Sequence, residues 1–192
     1  KGNSLLKDDK INEAFAEYQM AIEILPTYAN AYYGRGLVYK AKDDIANMII
    51  SMDKAIELGA TDSKAAKIAM KAKSTTAITL VNEGAKEIQK GNGKKAAEYI
   101  VSSFNYNQGD AKAYYYLSLA YNNTKSWDKA IEAGNKAIGL EADDKGDMYF
   151  ALGQAYEGKG DAAEACTAYK NVTSGPNVES AKYKITQVLK CN

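Results

Sequence analysis

Few residues in this chain have the types and spacing to do chemistry. They are two carboxylate pairs (Asp43-Asp44 and Asp143-Asp144), two cysteines (Cys166 and Cys191) and one glycine-bearing turn, Gly91-Asn92-Gly93-Lys94. Paired carboxylates can share acid and base work when burial splits their affinities for the proton. Here each pair lies beside lysine in a turn-forming stretch and reads as solvated caps at helix starts. The glycine turn lacks the preceding strand and the spacing of a phosphate loop. Histidine is absent and Arg35 is the one arginine, so the commonest general base, zinc ligand and anion fork are missing or nearly so. The expectation is a protein that is not an enzyme and carries no cofactor and no metal.

The elements that would position these residues are helical. Among 192 residues there are two prolines, Pro26 and Pro176, and Ala, Lys, Glu and Leu are plentiful. The net charge is +1, with lysines and carboxylates interspersed, which predicts no nucleic-acid partner. No apolar run approaches the ~18 residues of a membrane span. The chain starts at Lys1 inside a helical pattern and without an initiator Met, which predicts that a segment, with any targeting signal, precedes it.

The spacing of small residues organises the chain. Ala14, Met48, Ala96, Ala130 and Ala165 recur at intervals of 34, 48, 34 and 35. Twelve positions before each stands Gly2, Gly36, Gly84, Ser118 or Gly153. A period near 34 marks stacked units that cannot bury their apolar faces alone. The unit from Ala111 to Ala142 is the cleanest. Tyr114, Leu117, Ser118 and Tyr121 share one helical face, Asn122 to Ser126 break the pattern, and Ala130, Ile131, Gly134, Ala137 and Ile138 share the next.

This unit resembles the tetratricopeptide repeat, in which an aromatic, Leu-Gly, Tyr, Ala, an aromatic, Ala and Pro follow in order. The first copy supplies Gly2, Leu5, Ala14, Tyr18, Ala21 and Pro26. The second supplies Tyr32, Gly36, Tyr39, Met52 and Ala55, with Arg35 in the Leu slot. The third supplies Leu80, Gly84, Ala96 and Ile100, and departs at Glu87 and Ser103. The fifth supplies Tyr149, Leu152, Gly153, Tyr156, Ala165, Tyr169 and Val172. The resemblance implies an all-α fold, a right-handed α–α superhelix of stacked helix–turn–helix repeats with a C-terminal capping helix. It gives one array over 1–192, with repeats at about 1–28 (shortened), 29–60, 77–110, 111–144 and 146–177. The capping helix falls at 178–190. It also makes Tyr32, Tyr39, Tyr114, Tyr121, Tyr149 and Tyr156 packing residues.

The interval of 48 contains fourteen residues beyond one repeat, the segment 63–76. With no Gly or Pro between Ala60 and Gly84, one continuous helix from about Ser63 to Lys90 is the simplest form. Ser74, Thr75 and Thr76 are its weak point, and a break there is the alternative. At the other end, Cys166 and Cys191 fall on adjacent helices. A disulfide between them would fasten the C-terminus and imply an oxidising compartment. Their unequal distances from the Pro176 turn speak against it unless the tail bends back, leaving a buried thiol at Cys166 and a frayed one at Cys191.

In such arrays the first helix of each hairpin lines the concave side. Its outward positions here are Asn30, Tyr33, Leu37 and Lys40 in the second repeat, Lys112, Tyr115, Tyr116, Leu119 and Asn122 in the fourth, and Phe150 and Gln154 in the fifth. Aromatics among Asn, Gln and Lys suit a peptide or a partner helix. The competing reading has Tyr115 and Phe150 packing on the next repeat. No arginine occupies these positions, which argues against a clamp for a peptide C-terminal carboxylate. The expected function is a protein-interaction scaffold, with structural cell-envelope assembly or self-association as the alternative; the oligomeric state stays open. The Lys-, Tyr- and Asn-rich, Arg-poor composition resembles exported repeat proteins of gut-type Gram-negative bacteria, against a cytoplasmic alternative.

Overall fold

The computed structural model describes residues 1–141 and 143–191. Ala142, the last residue of the fourth unit as read above, lies outside the described residues. In chain order the elements are α1 (Gly2–Lys7), α2 (Ile11–Ile24), α3 (Ala29–Ala41), α4 (Ile45–Thr61), α5 (Ala66–Gln89) and α6 (Gly93–Ser103). They continue with α7 (Ala111–Asn123), α8 (Trp127–Leu140), α9 (Gly146–Lys159), α10 (Ala162–Lys170), α11 (Val178–Tyr183) and a π-helical turn, Lys184–Val188. Contacts divide the chain into two compact units, Lys1–Ile78 and Thr79–Asn192.

The repeat is built into the hairpin turns. Asp9, Asp43, Gly91, Lys125 and Gly160 all have positive φ, between 56° and 89°. The residue after each closes the same backbone bond: Lys10 N to Leu5 O, Asp44 N to Tyr39 O, Asn92 N to Glu87 O, Ser126 N to Tyr121 O and Asp161 N to Tyr156 O, at 2.8–2.9 Å. One left-handed residue thus ends each first helix and reverses the chain. The next residue starts the second helix, and Asp44 and Asp161 also cap it by accepting from Asn47 N and Glu164 N. Asp43 and Asp44 are therefore turn and cap residues.

Packing within each hairpin follows from the small residues. A Cβ at Gly2, Gly36, Gly84 or Gly153 would lie 2.5–2.8 Å from Tyr18, Met52, Ile100 or Tyr169 respectively, each sixteen residues further on. The bulk of the second helix fills the gap left by the first. The fourth hairpin swaps the sizes. Ser118 stands in the small slot and donates to Ala130 O at 2.8 Å, and Gly134 is the small partner opposite. Tyr32, Tyr39, Tyr114, Tyr121, Tyr149 and Tyr156 are half-buried against the core clusters.

The segment after α4 is continuous helix through Ser74–Thr76, and α5 begins at Ala66 rather than Ser63. Asp62 accepts from Lys64 N at 2.9 Å and holds a turn over residues 62–65. The helix runs unbroken through the hydroxyl cluster, where Ala72, Thr76, Ala77 and Leu80 are all buried and the Thr76 hydroxyl is satisfied by Ala72 O at 2.8 Å.

In the stretch expected as a capping helix, 178–190, helix runs from Val178 to Val188 in two forms. α11 ends at Tyr183 and the chain widens into the π turn, with Leu189 N donating to Lys184 O and Cys191 N to Ile185 O. This bend brings Cys191 back to Cys166, and the two form a disulfide with Cα atoms 5.8 Å apart. The unequal arms that spoke against the bridge are reconciled by it.

Candidate binding surfaces

In the first unit, Asn30, Tyr33, Leu37 and Lys40 all lie on α3. Leu37 is half-buried on the cluster of Met48, Met52, Ala55 and Ala72, and Lys40 is exposed. Tyr33 is half-buried in the same cluster, with its hydroxyl 3.5 Å from Thr75 Oγ1. Asn30 and Tyr33 also line a cleft of about 310 Å³, with Tyr28, Tyr18, Ile68 and Lys71 among its walls. Tyr18 closes one end by donating to Asn3 Oδ1 at 2.5 Å, and burial raises its pKa. The cleft's carboxylate, Glu17, is paired with Lys1 at 2.7 Å.

In the second unit, Lys112, Tyr115, Tyr116, Leu119 and Asn122 lie on α7, and Phe150 and Gln154 on α9. Tyr115 packs against Ala111, Ala137 and Met148 and stacks on Tyr116 at 5.4 Å. Burial, then the Asp147 carboxylate and Tyr116, pushes its phenol up to about 12. Lys112 Nζ sits 5.7 Å above the Tyr116 ring. Phe150 packs on Tyr169 of its own hairpin at 5.5 Å. Asn122 donates to Ala151 O at 2.9 Å and so ties α7 to α9, while its Oδ1 is buried without a partner among the described residues. Leu119 is half-buried and Gln154 exposed. Tyr115, Tyr116, Phe150 and Asn122 thus spend much of their surface inside the fold, whereas Lys112 and Gln154 are exposed.

Other chemistry-bearing groups are structural in their contacts. Asp144 accepts from Ser174 Oγ at 2.6 Å and Gly146 N at 3.3 Å, which fastens the end of the fifth hairpin to the start of α9 and lowers its pKa. Glu87, 5% exposed, takes the place held by Tyr39, Tyr121 and Tyr156 in three other first helices and by Leu5 in α1. It accepts from Asn92 Nδ2 at 2.8 Å and Lys90 Nζ at 3.0 Å, with Lys95 Nζ at 3.5 Å. The Asn92 and Lys90 bonds hold its carboxyl at about 2. Gly91-Asn92-Gly93-Lys94 is accordingly the helix–helix turn that Glu87 organises. Among the described residues no cluster of His, Cys, Asp and Glu is arranged to hold a metal, and no helix is long and apolar enough to cross a membrane.

A surface that the first-helix argument missed lies on the second helices of this unit. A groove of about 610 Å³ runs between Ala97 and Val101 of α6 and Tyr121 of α7, with Lys94 and Lys129 at its rim. Val101, 46% exposed, was its one sequence signal, an aliphatic side chain off the buried stripe.

Paired helices joined by identical turns, stacked through small-to-large contacts, define an all-α helical-repeat protein of the α–α superhelix class. The family description "TPR repeat" matches residues 2–43, and "Tetratricopeptide repeat" matches 29–60 and 146–174. The matched segments are tetratricopeptide repeats, and solved structures similar to this chain are tetratricopeptide repeat proteins. Solved structures agree in fold. A crystal structure of MamA is 25% identical, with a TM-score of 0.55 over 95% of this chain and 96% of that one. MamA 41-end from Desulfovibrio magneticus RS-1 is 20% identical, with a TM-score of 0.52 over 89% and 88%. YrrB, described as a TPR protein with an unusual peptide-binding site, is 19% identical, with a TM-score of 0.53 over 95% and 87%. No curated protein matches the chain. The family is in general a protein-interaction scaffold without catalytic activity.

Proposed function

We propose that this protein is an interaction scaffold that holds an extended peptide or a partner helix on its first-helix faces, with the α3 cleft as the principal site. The observation that carries this reading is the cleft itself. It is recessed, it is walled by Tyr28, Tyr33 and Ile68, and it offers the Asn30 amide at its edge. Rigid aromatic walls lose little side-chain entropy on binding, and an amide can pair with a peptide backbone. Lys112, Tyr116, Leu119 and Gln154 extend the reading to the second unit, with Tyr115, Asn122 and Phe150 supporting them from beneath. The tetratricopeptide repeats matched at 2–60 and 146–174 support it, as does the peptide site described for YrrB. The Cys166–Cys191 bridge supports function in an oxidising compartment.

A photo-crosslinking amino acid at position 30, on the exposed edge of the cleft, tests this in the source cell. The partner it captures is then titrated against the parent and Tyr33→Ala, with circular dichroism to verify the fold. Loss of a hot-spot aromatic is expected to cost about 2 kcal/mol, roughly thirty-fold in Kd. Unchanged affinity in the folded variant would remove the cleft from the binding surface. Capture of a second copy of this chain alone would make it a self-associating scaffold.

A further inference from the structure

We infer that the α3 cleft selects peptides that carry carboxylate side chains, with the Lys71 ammonium as their receiving group; this rests on the cleft reading above. The charge of the chain is balanced overall, but not locally. Residues 63–82 contain Lys64, Lys67, Lys71 and Lys73 and no Asp or Glu. The fourteen residues that interrupt the repeat spacing fall in this stretch, so the basic segment is an addition to the array and not a repeat position.

The structure places one of these lysines where a ligand would meet it. Lys71 and Ile68, one turn apart on α5, line the same cleft as Asn30 and Tyr33. Glu17, the carboxylate in the same cleft, is already neutralised by Lys1. None of the four lysines of the segment has a carboxylate partner among the described residues. Lys67 and Lys71 stand four apart on one exposed face of α5 and repel each other. An anion in the cleft relieves that repulsion, and the low-dielectric aromatic wall strengthens the attraction. The Tyr33 hydroxyl, in loose contact with Thr75 at 3.5 Å, and that of Tyr28, 44% exposed, can donate to the same carboxylate. The recess admits a side chain on an extended backbone, whereas a membrane surface needs an open face. The occupant is therefore an Asp- or Glu-bearing segment whose apolar neighbour rests on Ile68.

The test is a displayed library of random peptides of about twelve residues, selected on the full chain and counter-selected on Tyr33→Ala. The expected result is enrichment of Asp and Glu. The selected peptides, made synthetically, should bind Lys71→Glu at least about ten-fold more weakly and lose affinity with added salt. They should bind Lys73→Glu, changed on the same helix away from the cleft, within about two-fold of the parent. Enrichment without acidic bias, or full affinity in Lys71→Glu, overturns the charge preference and leaves the cleft standing. No enrichment over Tyr33→Ala overturns the cleft along with it. Binding to vesicles of equal parts phosphatidylserine and phosphatidylcholine that outcompetes the selected peptides assigns the lysines to a membrane surface and overturns the proposal.

Discussion

Glu87 shows how one residue can leave the family pattern and still serve the fold. Its carboxyl holds the turn that an aromatic ring packs against elsewhere. Because its folded-state pKa lies near 2, below the ordinary 4.5, the ionised form stabilises the native state. That contribution is fully present above pH 4.5 and is lost as pH falls from there towards 2. Glu87→Gln is therefore expected to melt below the parent at neutral pH, with the gap closing as pH falls through this window; thermal melts at stepped pH read it. The departure at position 87 was visible in the sequence, but its reason was not, because Asn92 and Lys95 become neighbours only once the turn is closed. Asp43 behaved likewise. Its carboxylate is the visible feature in the sequence, and its backbone, at φ 57°, makes the turn.

Among the elements, the helix pairs were legible because a 34-residue period of small residues is a packing rule written directly in sequence. Gly84 on α5 faces Ile100 on α6, and an added Cβ would meet Ile100 Cγ1 at 2.5 Å and Ala96 O at 3.1 Å. Gly84→Ala should separate the two helices and cost about 1–3 kcal/mol despite its better helix propensity, as urea unfolding would measure. The continuity of α5 was less legible. Propensity alone leaves Ser74–Thr76 ambiguous, and the burial of Ala72, Thr76, Ala77 and Leu80 overrides it. The C-terminal helical run closes in an i→i+5 turn at Lys184–Val188, for which the sequence pattern carries no signal. Tyr115 and Asn122 raise a different difficulty. Helical periodicity gives a direction for a side chain, but not how far the next hairpin reaches over it.

At the scale of the whole molecule, each unit carries its own buried clusters: Tyr18, Val38 and Met48 in the first, Ile100, Leu117 and Tyr169 in the second. Repeat arrays unfold in such local parts. The Cys166–Cys191 bridge closes a loop of 25 residues within the second. Replacing both cysteines by serine should lower stability there by about 3 kcal/mol. Amide hydrogen exchange is the measurement. Faster exchange is expected in α10 and α11, with α3 unchanged, and equal acceleration in α3 would show that the chain unfolds as one body.

Arg35 is the chain's sole arginine, and it is strung between Gln19 of α2 at 3.1 Å and Ser51 of α4 at 3.2 Å, beside the Tyr32 ring. An arginine-specific endoprotease consequently has one scissile bond, Arg35–Gly36, in the interior of α3 with Gly36 buried. Cutting there requires α3 to unwind and both hydrogen bonds to part. The molecule thus carries a built-in clock: the rate at which two fragments appear reports the opening of the cleft-bearing unit alone, without label or mutation.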